Sequence, residues 1–222
     1  FIYTINMNWS KSGALKGWAE YFERHKQWPL AAAIYNRAIQ IKPAADHHYS
    51  ALGENLLNQV STASGQDAQR EFFTQADRVL QIGSSLSPLT PRFPALQGGL
   101  HSTWAQTESD AGERQSLGRR ALEFYELAAA LDPGNFELQN DMAKVELAVF
   151  GDYDEAHRRL LHAARLYTGS FRTYGLLGDL FFRKASASQG PTLKETLLRT
   201  AITNYQHAVT LAGTNDALSA FR

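Results

Sequence analysis

No cysteine occurs among the 222 residues. That excludes disulfides, thiol catalysis and cysteine-based zinc sites, and it leaves the redox compartment open, because a cysteine-free chain suits both. Neither sign of charge is in excess: lysine plus arginine number 22, and aspartate plus glutamate also 22. A nucleic-acid-binding domain carries a basic stripe. The nearest approaches, HRRLLHAAR at 157–165 and GRRAL at 118–122, interleave cations with Leu and Ala at helical spacing. They read as solvated helix faces. No apolar run approaches the roughly 18 to 20 residues that cross a bilayer. A signal peptide would need a basic start and a longer apolar core. The opening FIYTINMNW has neither, and it lacks an initiating Met. The expectation is a fragment of a longer protein, with FIYTI either closing a preceding apolar segment or forming a stray tail.

What the chain does have is an internal repeat. AAAIYNRAIQIKP (31–43), ALEFYELAAALDP (121–133), AHRRLLHAARLYT (156–168) and AITNYQHAVTLAG (201–213) each begin with Ala. Each continues with Tyr or Leu four residues on and Ala three later. ADRVLQIGSSLSP, with Ala76, Leu80, Gly83 and Pro88, is a weaker copy. Steps of four and three put these residues on one helix stripe. Small residues let a second helix approach, and proline ends the helix because it cannot continue the hydrogen-bond ladder. Upstream of each lies a second helical pattern: Trp18, Ala19 and Phe22; Leu52, Gly53 and Leu56; Leu177, Gly178 and Phe181. FPALQGGL (93–100) and NDMAKVEL (140–147) are looser versions. Pro29, Pro91 and Pro191 suit the first turn of a helix, with Thr90 as an N-cap ahead of Pro91.

Together these residues resemble the tetratricopeptide repeat (TPR), W-x2-L-G-x2-Y followed by A-x3-F-x2-A and P, over residues 11–213. The resemblance implies an all-α, right-handed α-solenoid of five helix pairs. Residues 1–10 are expected as an N-terminal tail before this solenoid, and residues 214–222 as a partial capping helix after it.

Copies one and four have ordinary length. In copies two, three and five about eleven extra residues separate the two helix signatures, in STASGQDAQREFF, TESDAGERQSLG and SASQGPTLKETLL. Eleven residues are close to three helical turns, and the apolar stripes run into the insert from both sides. Leu56 leads to Val60, Leu100 to Trp104 and Phe181 to Ala185; Phe72, Leu117 and Leu197 precede the Ala of the second helix by four. The spacing predicts helix, about one and a half turns added to each arm, with turns at Gly65, Gly112 and Gly190. Val60 is expected to face Phe72, Trp104 to face Leu117, and Ala185 to face Leu197. The alternation of ordinary and lengthened pairs, with phrases such as ALEFYELAAALDPGN and FGDYDEA, is similar to the soluble C-terminal repeat region of bacterial O-antigen ligase/polymerase-type membrane proteins. That resemblance implies an accessory domain tethered to a bacterial membrane by the preceding segment, with catalysis elsewhere and glycan-assembly machinery among its partners. The alternative is a stand-alone peptide-binding or partner-binding adaptor.

Catalytic signatures are missing: no G-x-x-x-x-G-K-[ST], G-x-S-x-G or H-E-x-x-H. His47 and His48 are adjacent and point apart, and His157 and His162 are five apart, a poor metal pair on one helix face. No catalytic residue, metal or cofactor is therefore expected, and the histidines read as surface or partly buried. The partner-binding expectation falls on polar residues of the first helices, which face inward in such a repeat: Lys16, Glu20, Arg24, Ser50, Glu54, Asn58, Asp141, Arg172, Asp179 and Arg183. Their mixed signs suit a polar or extended peptide. Some members of the repeat family grip a terminal carboxylate with Lys and Asn one turn apart. Here Glu20 follows Lys16, and its charge repels such a ligand.

Overall fold

The computed structural model describes residues 12–219, with side chains described for 14–213. The expected tail at 1–10, the side chain of Leu218 and the whole of Phe221 in the expected capping segment lie outside what is described. Among the described residues ten α-helices follow one another as five pairs: α1 (Ser12–Arg24) and α2 (Trp28–Ile41); α3 (Asp46–Val60) and α4 (Gln66–Leu86); α5 (Arg92–Thr107) and α6 (Ala111–Leu131); α7 (Phe136–Val145) and α8 (Tyr153–Leu166); α9 (Phe171–Ala187) and α10 (Pro191–Ser219). A π-helical turn, Glu146–Phe150, prolongs α7. No strand occurs among the described residues. None of their helices is long and apolar enough to cross a membrane. The fold is the all-α helical repeat that the periodicity predicts.

The chain divides at Ser109/Asp110 into two compact units. The first holds α1 to α5, the second α6 to α10. Helices α6 to α9 start on side-chain caps. The carboxylate of Asp110 accepts from the Glu113 amide, Asn135 from Glu137, Asp152 from Asp154 and Glu155, and Ser170 from Thr173. Each satisfies an amide that the helix start leaves without a partner. Helices α2, α4 and α6 stop two residues before Pro43, Pro88 and Pro133. α5 begins at Arg92 with Pro91 as its N-cap, one residue later than expected from Thr90. α10 runs unbroken to Ser219, so residues 214–219 prolong it rather than forming a separate helix.

One small buried residue marks the register of each first helix: Ala19, Gly53, Gly98, Ala143 and Gly178. One alanine marks each second helix: Ala31, Ala76, Ala121, Ala156 and Ala201. Glycine is needed where the partner comes closest. A Cβ on Gly53 would stand 2.6 Å from the Leu80 side chain, and one on Gly178 would stand 2.5 Å from the Tyr205 ring.

The inserts are helical, but unequally divided. In copies two, three and five the second helix starts ten residues ahead of its alanine marker, against three in copies one and four. Seven residues are about two turns. The first helices gain only two to four residues over α1. KASASQGPTLKETLLRTA (184–201) is helix on both sides of a three-residue break at 188–190. Gly65 takes a positive φ of 98° before α4. Gly112, expected in a turn, lies inside α6. Val60, Phe72, Phe73 and Trp104 join one core cluster of the first unit, where Trp104 stacks on Phe73 with ring centroids 5.3 Å apart. Counted from Gly98, the counterpart of Val60 and Ala185 is fully buried Ala105; Trp104 is half-buried. The expected register in copy three was thus one residue early. Trp104 belongs to the first unit and Leu117 to the second.

Copy four absorbs an odd residue. Its markers Ala143 and Ala156 are thirteen apart, where Ala19 and Ala31 are twelve apart. The extra residue widens the helix into the π turn, which ends on Gly151 in the left-handed region at φ 66°. The turn swings Val149 and Phe150 against α6 at Gly118, where a Cβ would stand 2.7 Å from Val149.

Candidate functional site

The first turn of α9 is fixed before its outer residues come into play. Ser170 caps it, and the buried hydroxyl of Thr173 donates to Asn140 on α7 at 3.0 Å. This anchorage turns the opposite edge of α9, with Phe171, Arg172, Gly175, Leu176 and Asp179, toward solvent. Those residues, Lys144 on α7, and Ala208, Val209 and Ala212 on α10 line a cleft of about 430 Å³. Its walls are aliphatic and aromatic: Phe171 is 49% exposed and Val209 72%. A rim of charges surrounds them. Arg172 reaches Glu137 at 3.0 Å and Asp141 at 4.0 Å, and Lys144 holds Asp141 at 2.7 Å. Asp179 accepts the Tyr205 hydroxyl at 2.7 Å. Burial, then the hydrogen bond and the charge of Asp179, push the Tyr205 phenol up to about 12. The arrangement can hold an apolar side chain and orient flanking polar groups. Among the described residues no group of three or more His, Cys, Asp or Glu is placed to hold a metal ion.

Of the residues singled out from the sequence, Arg172 and Asp179 come together in this cleft, and Asp141 stands behind its rim. Arg183 is exposed three turns along α9 from Arg172 and is not among the lining residues. The other six belong to the first unit. Lys16 pairs with Glu20 at 3.6 Å, and Arg24 donates to the Glu20 carbonyl at 3.4 Å. Glu54 pairs with Arg92 at 2.9 Å, both about half exposed. Asn58 is exposed. Ser50 departs from expectation: it is fully buried, its hydroxyl donating to the His47 carbonyl at 3.1 Å. Its counterpart in copy four, Asn140, is buried as well. Helix packing covers this position in both copies, so Ser50 lines no open face.

Other polar groups escaped the sequence reading. Tyr35 donates to Glu23 at 3.2 Å, Asn55 donates to Glu23 at 2.9 Å, and Gln59 donates to Asn55 at 3.0 Å. Burial first, and Glu23 second, raise the Tyr35 phenol above its ordinary range. The available signal was Asn55, polar at a position where Leu100, Val145 and Leu180 are apolar. In copy four, Arg159, buried in α8, meets Glu155 at 2.9 Å and Glu126 at 3.0 Å. Burial raises the nearby Glu146 carboxyl, and Arg159 opposes that rise. His48 and His101 are buried more deeply than expected, at 1% and 0% exposure.

No protein-family model matches the chain, and no curated protein matches it in sequence. Solved structures do. The chain is similar in fold to TTC0263, a thermophilic TPR protein of Thermus thermophilus, at TM-score 0.67 and 15% identity over 95% of this chain and 96% of that one. A MamA fragment, residues 41 to the end, from Desulfovibrio magneticus aligns at TM-score 0.64 and 13% identity, covering 95% and 99%. YrrB, described as a TPR protein with an unusual peptide-binding site, aligns at 0.56 and 15%, covering 96% and 97%. At these identities the likeness establishes the TPR fold.

Proposed function

We propose that this chain is a non-catalytic TPR scaffold that holds a segment of a protein partner. The α9–α10 cleft carries the reading, with apolar walls for an anchoring side chain and a rim of Lys144, Arg172 and Asp179 to orient what flanks it. Such a combination of a desolvating pocket and a few convergent polar groups is what peptide recognition uses. The peptide-binding site ascribed to YrrB, a protein of the same fold, supports the reading by analogy. Lys16, Glu20, Arg24, Glu54 and Asn58 offer further polar contacts in the first unit, and Asp141 and Arg183 extend those around α9.

The finer reading makes this scaffold the soluble accessory region of a bacterial membrane protein of O-antigen ligase/polymerase type, tethered by the segment before it, with glycan-assembly machinery as partner. The alternation of ordinary and lengthened pairs supports it. The test is the coding sequence upstream of Phe1. Ten or more apolar spans are expected there, and their absence leaves the stand-alone adaptor.

The scaffold itself is tested with a phage-displayed random peptide library. Selected peptides are synthesised and titrated by fluorescence anisotropy against wild type and an Arg172→Ala/Arg183→Ala variant. Both side chains are exposed, and such substitutions change stability by less than about 0.5 kcal/mol. The melting temperature should hold while affinity falls at least about tenfold, the equivalent of 1.4 kcal/mol. Equal affinity in the two proteins rejects the site.

A further inference from the structure

The five copies report on one another. In the second to fifth copies, the residues five before, one before and two after the first-helix marker are all buried. These are His48, Leu52 and Asn55; Phe93, Gln97 and Leu100; Leu138, Met142 and Val145; Thr173, Leu177 and Leu180, none more than 4% exposed. The same positions of α1 hold Ala14, Trp18 and Tyr21. Ala14 is exposed, Trp18 is 53% exposed and Tyr21 47%. Trp18 and Tyr21 meet edge to face at 6.2 Å, and the Tyr21 ring lies tilted against His25 at 4.3 Å. This is a packing face by register and by composition.

α10 carries the opposite case. Four residues past the alanine marker, Tyr35, Leu80, Tyr125 and Leu160 are buried, and so are Ala38, Gly83, Ala128 and Ala163 seven past it. Their counterparts Tyr205 and Ala208 are only half-buried, beside exposed Ile202 and Val209. Inside the first unit the seventh position receives the next first helix: the Phe93 ring of α5 lies on Gly83 of α4. Ala208 and Val209 line the cleft, so the cleft has the form of a seat for another first helix.

We propose that the cleft at α9–α10 and the aromatic face of α1 are two halves of one interface, through which copies of this chain associate head to tail. The proposal rests on the preceding reading that the cleft receives protein, and it names the occupant as α1 of a second copy. Charge complementarity favours that occupant. Within each unit a carboxylate on one first helix meets an arginine at the start of the next: Glu54 with Arg92, and Asp141 with Arg172. In register terms Asp141 and Arg172 are staggered by four residues. The four-residue stagger of Asp141 on Arg172, rather than the seven-residue one of Glu54 on Arg92, sets Asp179 opposite Lys16 and Arg183 opposite Glu20, two pairs of opposite sign. An apolar centre of Trp18 and Tyr21 against Ala208, Val209 and Ala212 would lie beside them, aromatic anchors within a polar rim.

A head-to-tail contact uses different surfaces on the two partners and therefore continues beyond two copies. The test is analytical ultracentrifugation of the 222-residue chain, 24.7 kDa, over a concentration series. The wild-type mass should rise past that of a dimer. Val209→Glu spoils the cleft and leaves α1 intact; Trp18→Glu does the reverse. Each alone should remain monomeric. Mixed one to one, they should form a heterodimer and stop there, because each contributes its one sound face. If Trp18→Glu melts early, Tyr21→Glu replaces it on the same face. A wild type monomeric at every concentration overturns the proposal, as does a mixture that stays monomeric. So does a dimer abolished by only one of the two substitutions, which marks a symmetric contact. Peptide binding sensitive to Arg172→Ala in a strictly monomeric wild type would leave the scaffold reading standing and remove this one alone.

Discussion

Asn55 occupies a position that Leu100, Val145 and Leu180 fill elsewhere, and it is as deeply buried as they are. Its amide is tolerated there because Glu23 accepts from it and Gln59 donates to it. Replacing Asn55 with Leu leaves both partners without their bond in a partly buried site, and an unsatisfied buried polar group costs about 1–3 kcal/mol. Urea unfolding should show a loss of roughly 2 kcal/mol despite the gain in apolar character. A neutral or positive change would mean that water replaces the amide. His48, 1% exposed, behaves differently. Burial first, then the nearby charges of His47, Lys42 and Lys16, lower its pKa in the folded chain. The unfolded imidazole takes its proton first as pH falls. The stability tied to neutral His48 is thus intact above about pH 6.5 and declines below it. His48→Phe should flatten the fall in thermal midpoint between about pH 6.5 and 5; an unchanged slope would assign it to other groups. The positions of both residues were legible in the repeat register. Their burial was not, because it depends on which neighbouring helix lies over them.

At the scale of the element, the repeat pattern located the ten helices of the described residues, and the phase of the apolar stripes identified the inserts as helix. How the inserts divide was not legible. Apolar stripes entering from both ends do not say where the break between two helices falls, and in copies two, three and five it falls so that the second helix takes most of the length. The looser signature of copy three, with Gly98 and Gly99 adjacent, also hid a shift of one residue that only the burial of Ala105 resolves. The π turn was visible in principle as thirteen residues between markers instead of twelve. Deleting exposed Ala148 restores the ordinary spacing. The helix should then close into regular α geometry and carry Val149 and Phe150 away from Gly118. Circular dichroism should report unchanged helicity, and unfolding free energy should fall by about 1–2 kcal/mol for the lost packing. A deletion that leaves stability unaltered would show that the π turn has no packing role.

For the whole molecule, periodicity carried the fold because each copy repeats the same small residues at the same faces. The candidate site was only half legible. Arg172 and Asp179 were singled out as polar groups on a first helix, but the cleft between them is made by Gly175, Leu176 and Val209, ordinary residues whose exposure depends on α10. Repeat arrays change length over evolutionary time by duplicating or losing whole units, which works while every unit presents the same profile to its neighbours. The contact of Val149 and Phe150 with Gly118 breaks that equivalence. The position that Gly118 occupies on α6 is held on α8 by Tyr153, and a π turn stacked there would meet a phenol ring where α6 leaves room. Copy four is keyed to the helix before it. A second copy four placed in tandem would have to repack that ring, so the junction disfavours a simple duplication of this copy.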